Sequence, residues 1–270
     1  MDLGLKGKSV IVTGAGGAIC GKIAEGFAAE GANVAVWDIS LEAAERQKDA
    51  ITETGGRAIA VDCDATSRED VEAAFRATLS EFGTVEALVN GAGGSRKETT
   101  TSDELTFFDF RTEDLDRVMA LNYLSAVIPS QVVGRHFSDQ DGGSIVNISS
   151  IAGIHPVTRA LSYSNGKAAT NSFTEWLAVH MAQNYSGKIR VNAVAPGFIL
   201  TEQNRFLLID QKTGNMSPRG QQVVDTVPMA RYGAPEEIVG AALWLSSASA
   251  SFVTGTIIPV DGGLTAFLGV

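Results

Sequence analysis

Seven short apolar runs, separated from one another by longer segments, constrain the fold of this chain more than any other feature. Most of the runs consist of nearly continuous Val, Ile and Ala, which is typical of parallel strands covered by helices on both faces. They lie at 9–14, 33–38, 57–64, 86–93, 143–150, 188–197 and 255–263, and helical spacing marks 18–30, 40–54, 67–82, 112–137, 162–184 and 235–247. The alternation predicts an α/β fold: a doubly wound, seven-stranded parallel sheet with helices on both faces.

No linker divides the 270 residues, so we expect one domain, 1–270. Two connections, 94–111 and 198–234, are longer than a plain crossover needs. Each follows the carboxyl end of a predicted strand, the edge at which open α/β sheets bind ligands. We therefore expect both segments to contact substrate, the alternative being insertions that pack a subunit interface.

Composition narrows the class of protein. The formal net charge of −10 disfavours nucleic acid and anionic membranes as partners. Cys20 and Cys63 are the only cysteines and belong to no CxxC or His/Cys cluster, so we expect neither a metal site nor a disulfide. The chain shows no secretory h-region and no uninterrupted membrane span. These features lead us to expect a cytoplasmic protein that acts on a small molecule.

The stretch "TGAGGAICG" at 13–21 has the composition of a phosphate-binding turn. It follows an apolar strand and leads into a helix, so its backbone can approach a pyrophosphate closely while helix N–H groups point at it. The residues expected to line the cofactor are Gly14, Gly16, Gly17, Ala18 and Ile19.

The second predicted strand ends in Asp38, roughly 20 residues beyond the glycine turn, where an acid can accept the ribose hydroxyls of NAD. A 2′-phosphate would meet a carboxylate there with no Arg immediately following. The position predicts NAD(H) rather than NADP(H). Asp38 could instead cap the next helix, although Ser40 fills that role better.

Tyr163 and Lys167 are four residues apart in a helical segment and so share one face. A neighbouring ammonium favours a phenolate, so the pair predicts a Tyr with a lowered pKa that is usable in acid–base chemistry. The stretch "NISS" upstream adds hydroxyl groups at the carboxyl edge of the sheet. On its own, such a pair could also consist of two exposed surface residues with no catalytic role.

The order of these motifs is similar to that of the short-chain dehydrogenase/reductase family in its compact single-domain form. That family carries TGxxxGxG, Asn-Ala-Gly after the fourth strand, a catalytic Asn, a Ser, YxxxK and a Pro-Gly after the sixth strand. The matching residues here are Thr13-Gly14, "NGAG" at 90–93, Asn122, Ser150, Tyr163 with Lys167, and "PGFILT" at 196–201. The resemblance covers essentially the whole chain and implies a Rossmann-like oxidoreductase.

The resemblance also implies roles. Tyr163 would give a proton to a ketone or take one from an alcohol. Lys167 would lower the Tyr163 pKa and bind the nicotinamide ribose, while Ser150 would position the substrate oxygen. Asn122 would hold a water in a proton relay. The other implied cofactor contacts are Asp64, Ala65, Asn90, Gly91, Ala92, Pro196, Gly197, Ile199 and Thr201. The family's usual tetramer would be built on the helices at 112–137 and 162–184.

The chain departs from the family pattern at three positions. Ala18 and Cys20 replace glycines of the phosphate motif, and Gly166 replaces the usual Ser before the Lys. We expect Cys20 to be a small buried packing residue, with a redox-sensitive thiol as the alternative. The loop is still expected to bind NAD, in an altered form.

Within the family, "VTGAGGAICG", "VNGAGG", "PGFILTEQNR", "WLAVHMA" and "SFVTGTIIPVDGG" together resemble the D-mannonate oxidoreductase (fructuronate reductase) group. This implies a sugar-acid substrate, whose carboxylate calls for cationic or amide partners. The candidates are Arg96, Lys97, His155, Arg159, Gln203, Asn204 and Arg205, with Arg205 and Arg96 preferred. Each basic residue could equally be a solvated loop charge.

Three rival functions remain open. Another NAD-dependent sugar or polyol dehydrogenase would share every catalytic residue. A 3-oxoacyl reductase would fit less well, because Asp38 disfavours the NADPH that such enzymes usually take. A non-catalytic NAD-binding scaffold would not need the Ser–Tyr–Lys–Asn set.

Overall fold

Residues 2–201, 204–205, 208–210 and 213–267, which the computed structural model describes, fold around one parallel sheet. Its strands are β1 (Ser9–Thr13), β2 (Asn33–Asp38), β3 (Arg57–Asp62), β4 (Ala87–Asn90), β5 (Gly143–Ile148), β6 (Ile189–Pro196) and β7 (Ile257–Val260). They are ordered β3-β2-β1-β4-β5-β6-β7. The predicted seven-stranded, doubly wound α/β fold is confirmed.

Helices connect the strands and lie close to the segments with helical spacing. They are α1 (Ala18–Ala29), α2 (Leu41–Glu53), α3 (Arg68–Phe82), α4 (Thr112–Asp139), α5 (Leu161–Asn184), α6 (Pro218–Thr226) and α7 (Glu236–Ser246). The sequence analysis did not predict α6, which lies inside the long 198–234 segment. Among the described residues, none of these helices has the length and apolarity needed to cross a membrane.

The five inner strands bury both of their faces, whereas β3 and β7, at the two edges of the sheet, are only partly buried. Along β1, Val10 and Val12 pack into the core that contains residues of α1, α2 and α7. Ile11, between them, packs into the other core with residues of α3, α4 and α5. Alternate side chains of a strand point to opposite faces, so two apolar layers require the nearly continuous apolar runs seen in the sequence.

The strand order reverses beside β1, which pairs with β2 on one side and β4 on the other. Chain connections leave the sheet in opposite directions at such a point, which opens a crevice at the carboxyl ends of the strands. Thr13 and Asn90, the last residues of β1 and β4, are register partners at the floor of this crevice.

Both long connections begin just after the carboxyl end of a strand, β4 for 94–111 and β6 for 198–234. In 94–111, Thr100 forms an antiparallel bridge with Ala160, and the Thr101 N–H donates to the Arg159 carbonyl at 2.9 Å. In 198–234, Ile199 pairs with Gly233, and Tyr232 Oη donates to the carbonyl of Gly220 in α6 at 2.7 Å. These contacts join the first segment to the chain before α5 and close the second segment on itself.

Candidate active site

The glycine turn between β1 and α1 depends on Gly14 for its close approach to β4. Gly14 has a φ of +64°, and a Cβ placed on it would lie 2.9 Å from the Ala92 Cα. The Gly17 N–H donates to the Gly14 carbonyl at 3.1 Å and closes the turn. Backbone therefore lines this part of the crevice without side-chain bulk, as a pyrophosphate site requires.

Asp38 lies beside the turn at the end of β2. Its Oδ2 accepts the Gly16 N–H at 2.9 Å, and its Oδ1 accepts the Ser40 N–H at 2.9 Å. Ser40, not Asp38, caps α2, accepting the Ala43 N–H at 3.3 Å. The structure thus places a carboxylate at the end of β2, next to the turn, where the ribose of a dinucleotide would bind.

The adjoining wall is formed by the ends of β1, β3 and β4. The Thr13 hydroxyl accepts the N–H groups of Gly91 (3.0 Å) and Ala92 (3.2 Å), which fixes the backbone after β4. On the β3 side, Asp64 Oδ1 accepts the Thr66 N–H at 2.8 Å, and the neighbouring Ala65 is buried. Sequence analysis did not identify the role of Thr13, because a hydroxyl in a strand gives no local signal of its partner.

The Asn90 side chain does not lie where the sequence analysis predicted, on the ribose side of the cofactor site. Its side chain is buried, and Nδ2 donates to Asn147 Oδ1 at 2.9 Å and Ser130 Oγ at 3.0 Å. The amide therefore joins β4 to β5 and α4 instead of lining the crevice. Backbone atoms of Gly91 and Ala92 are what this strand end offers a cofactor.

Cys20 fills the space behind the same strand end. It is 4% exposed, and a Cβ placed on Gly91 would lie 2.0 Å from its Sγ. Burial raises the pKa of the Cys20 thiol to about 12, so it stays neutral. This agrees with the expected packing role and disfavours a reactive thiolate.

Ser150, Tyr163 and Lys167 come together at the carboxyl end of β5, as their spacing predicts. The hydroxyls of Ser150 and Tyr163 share a hydrogen bond, and Ser150 Oγ also accepts the Ala152 N–H at 3.1 Å. Lys167 Nζ lies 5.9 Å from the centre of the Tyr163 ring. It donates to the Ile148 carbonyl at 2.7 Å, an acceptor that the sequence could not reveal.

The expected lowering of the Tyr163 pKa is wrong for this structure. Burial raises the pKa of Tyr163, and the hydrogen bond with Ser150 opposes that rise. Burial also lowers the pKa of Lys167 to about 8. Desolvation disfavours the charged form of both groups and is the largest cause of each shift.

Asn122 anchors the chain that follows β4. Its Oδ1 accepts the Gly94 N–H at 2.9 Å, and its Nδ2 donates to the Gly94 carbonyl at 2.9 Å. A Cβ placed on Gly93 would lie 2.8 Å from Asn122 Oδ1 and 3.2 Å from Lys167 Nζ. Gly93, which was not among the predicted site residues, therefore has Asn122 and Lys167 beside it.

Gly166 allows α4 and α5 to approach at this point. A Cβ placed on Gly166 would lie 2.7 Å from the Asn122 Cβ. Thr170, one turn further along α5, donates its hydroxyl to the Asn122 carbonyl at 2.9 Å. The family's usual Ser at position 166 would not fit without moving the two helices apart.

Some of the basic residues predicted to bind substrate lie on segments that contact each other. Arg96, His155 and Arg159 are exposed on two segments that the Thr100–Ala160 bridge joins. Arg159 has a φ of +79°, a strained value for a residue with a side chain. Arg96 and Arg159 form no ion pair with any described residue.

The second long segment supplies Asn204 and Arg205 from a separate direction. The Asn204 amide is engaged by backbone: its Nδ2 donates to the Ile199 carbonyl at 2.8 Å, and its Oδ1 accepts the Thr201 N–H at 2.9 Å. Arg205 is exposed and follows in the same turn. Gln203 lies outside the described residues.

The end of β6 leads directly into this segment. A Cβ placed on Gly197 would lie 2.6 Å from the Asp261 Cα, so a larger residue would push the strand end away from the chain after β7. The Gly197 N–H donates to the Val260 carbonyl at 2.9 Å. Pro196 and Gly197 thereby fix where Ile199 and Thr201 lie.

Comparison with known proteins finds the same fold over the whole length. Residues 14–265 match the family model described as enoyl-(acyl carrier protein) reductase. An uncharacterized oxidoreductase of Bacillus subtilis is 39% identical over 275 residues, covering 98% of each chain. The 7alpha-hydroxysteroid dehydrogenase of Escherichia coli is 36% identical over 262 residues, 97% of this chain and 96% of that one. A Haemophilus influenza structure with bound NAD, provisionally named D-mannonate oxidoreductase, has a TM-score of 0.92 at 38% identity and covers 98% of each chain.

Proposed function

The chain belongs to the short-chain dehydrogenase/reductase family, and on that premise we propose that it uses NAD(H) to interconvert a ketone and a secondary alcohol on a sugar acid of the mannonate or fructuronate type. The convergence of Ser150, Tyr163 and Lys167 at the carboxyl end of β5 is the observation that carries the proposal. A non-catalytic scaffold would have no use for this arrangement.

The chemistry divides between the cofactor and two side chains. A nicotinamide dinucleotide bound along the crevice would supply the hydride for a carbonyl carbon. Tyr163 would donate its proton to the carbonyl oxygen, and the Ser150 hydroxyl would hold that oxygen by a hydrogen bond. Because burial raises the Tyr163 pKa, the phenol stays protonated at neutral pH and is suited to reduction. Alcohol oxidation, which needs the phenolate, would be favoured at higher pH.

The preference for NAD(H) rests on Asp38. Its carboxylate is held against the glycine turn by the Gly16 N–H, and a Cβ on Gly16 would lie 2.6 Å from the Ala43 Cβ. The turn, the carboxylate and α2 therefore pack closely together. An acid here accepts ribose hydroxyls and repels a 2′-phosphate.

The proposed sugar-acid substrate is supported by exposed basic residues on segments that follow the carboxyl ends of β4 and β5. Arg96 and Arg159 are exposed, form no ion pair within the described chain, and lie on segments joined by backbone hydrogen bonds. Arginine binds carboxylates through paired hydrogen bonds. The NAD-bound relative provisionally named D-mannonate oxidoreductase is consistent with such a substrate.

A second candidate substrate is an apolar cyclic alcohol. Phe107 and Phe108 are 61% and 90% exposed on the 94–111 segment, and Phe107 makes edge contacts with both Phe108 and Phe110. A cluster of exposed aromatic groups favours contact with a large apolar ligand. The hydroxysteroid dehydrogenase relative acts on that class.

The test is NADH consumption by the purified protein with fructuronate, tagaturonate, neutral ketoses, a 7-ketosteroid and an acetoacetyl thioester, with NADPH run in parallel. We expect a keto-uronate with NADH to be preferred. Losing one charged hydrogen bond in Arg96→Ala or Arg205→Ala should lower kcat/KM for it about tenfold or more. Arg135→Ala is the matched control, because Arg135 is exposed and lies near the carboxyl end of α4. Equal turnover of neutral ketoses would contradict the substrate, and no turnover with any ketone would contradict the function.

A further inference from the structure

The chain from Phe198 to Thr201 presents two hydrogen-bonding edges. On one edge, the Phe198 carbonyl accepts the Gly233 N–H at 3.0 Å, and the Leu200 N–H donates to the Gly233 carbonyl at 2.9 Å. Backbone groups of extended chain alternate in direction, so those of Ile199 and Thr201 face the opposite edge.

Asn204 occupies part of that opposite edge. Its amide donates to the Ile199 carbonyl at 2.8 Å and accepts the Thr201 N–H at 2.9 Å. The Asn204 N–H in turn donates to the Thr201 carbonyl at 3.1 Å. An asparagine amide has one acceptor and one donor group side by side, so it can pair with an extended backbone as a neighbouring strand would.

One backbone N–H on this edge has no hydrogen-bond acceptor in the described part of the chain. The Ile199 N–H has no acceptor among the residues that the structure describes, although the Ile199 residue is 6% exposed. Groups on both sides of the segment are already paired, by Gly233 and by Asn204. The segment therefore holds a single N–H in a fixed direction, and a buried donor requires a partner.

We propose that Asn204 is a positioning residue for the nicotinamide end of the cofactor and not a ligand of the substrate. By holding the Ile199 carbonyl and the Thr201 N–H, it directs the Ile199 N–H toward the cofactor carboxamide. This rests on the proposed NAD(H)-dependent function. It replaces the expectation that the Asn204 side chain contacts a sugar acid, because both polar atoms of that side chain are already in use.

The experiment compares binding of NADH with binding of ADP-ribose, which lacks the nicotinamide, by titration calorimetry. Asn204→Ala removes both amide contacts, and Asn204→Asp keeps an acceptor for Thr201 but removes the donor to Ile199. We expect both variants to raise the Kd of NADH about tenfold, equivalent to about one hydrogen bond, with the Kd of ADP-ribose changed less than twofold. Asn215→Ala is the control: Asn215 is an exposed asparagine in the same long segment, and its variant should match the wild type.

The outcomes separate the inference from the function on which it rests. An unchanged NADH Kd, with a raised KM for the ketone alone, would make Asn204 a substrate ligand and overturn the inference. Equal weakening of NADH and ADP-ribose would indicate general disorder of the site and would also overturn it. A wild-type protein that binds neither compound would overturn the proposed function itself.

Discussion

Replacing the buried Lys167 by Met should reveal how much the buried ammonium lowers the free energy of unfolding. Lys167 is 5% exposed, and burial lowers its pKa from 10.5 to about 8. At about 1.4 kcal/mol for each pH unit, the interval between these values corresponds to about 3 kcal/mol. The described chain places a carbonyl, that of Ile148, against the ammonium as its hydrogen-bond partner.

The direction in which stability changes with pH depends on whether the folded or the unfolded chain holds the lysine proton. Below pH 8 the folded and unfolded chains both carry the charged lysine, and the folded chain bears the full cost of burial. Between pH 8 and 10.5 the folded chain releases the proton while the unfolded chain keeps it, so stability rises with pH. Above 10.5 the lysine is neutral in both states and the cost has vanished. Lys167→Met has no such cost at any pH.

The assay is urea unfolding of the wild type and Lys167→Met at several pH values from 7 to 11. The wild type should gain about 3 kcal/mol of unfolding free energy relative to the variant across this range. The lost hydrogen bond to Ile148 shifts the difference between the two proteins at every pH but not its slope. Parallel pH profiles would refute the conclusion that the folded state destabilises the lysine charge.

Two further substitutions test the close contacts around the site. Gly91→Ala should destabilise the fold by about 1–3 kcal/mol, because the new Cβ would lie 2.0 Å from Cys20 Sγ, and combining it with Cys20→Gly should restore part of that loss. Additive effects of the two changes in thermal unfolding would argue against the contact. Gly166→Ser should lower Tm and kcat together, because the new Cβ would lie 2.7 Å from the Asn122 Cβ and force α4 from α5. A variant with unchanged Tm would show that the helices have room for the family's usual serine.

Local sequence patterns were sufficient to predict the sheet and the positions of several site residues. The continuous apolar runs reflect burial on both faces of parallel strands, which is why the strand positions were predicted closely. Asp38 ends an apolar run, and Tyr163 and Lys167 have helical spacing, so their placement follows from the chain itself. Each of these positions depends on short-range geometry.

The sequence failed where the result depends on contacts between distant segments. Asn90 turns into the sheet because Asn147, 57 residues away, offers it an acceptor. The Tyr163 pKa rises because tertiary packing desolvates the ring, a quantity that no local pattern contains. Asn204 looked available for substrate, yet its amide pairs with the backbone three and five residues earlier.

The most direct test of the account is the Tyr163→Phe variant, assayed for ketone reduction and, separately, for NADH binding. If Tyr163 is the proton donor, kcat should fall by about 10²–10⁴-fold. The Kd of NADH and the Tm should stay close to those of the wild type, because only a hydroxyl is removed. A variant that keeps kcat within tenfold of the wild type would contradict the assignment of Tyr163, and with it the chemistry proposed for this site.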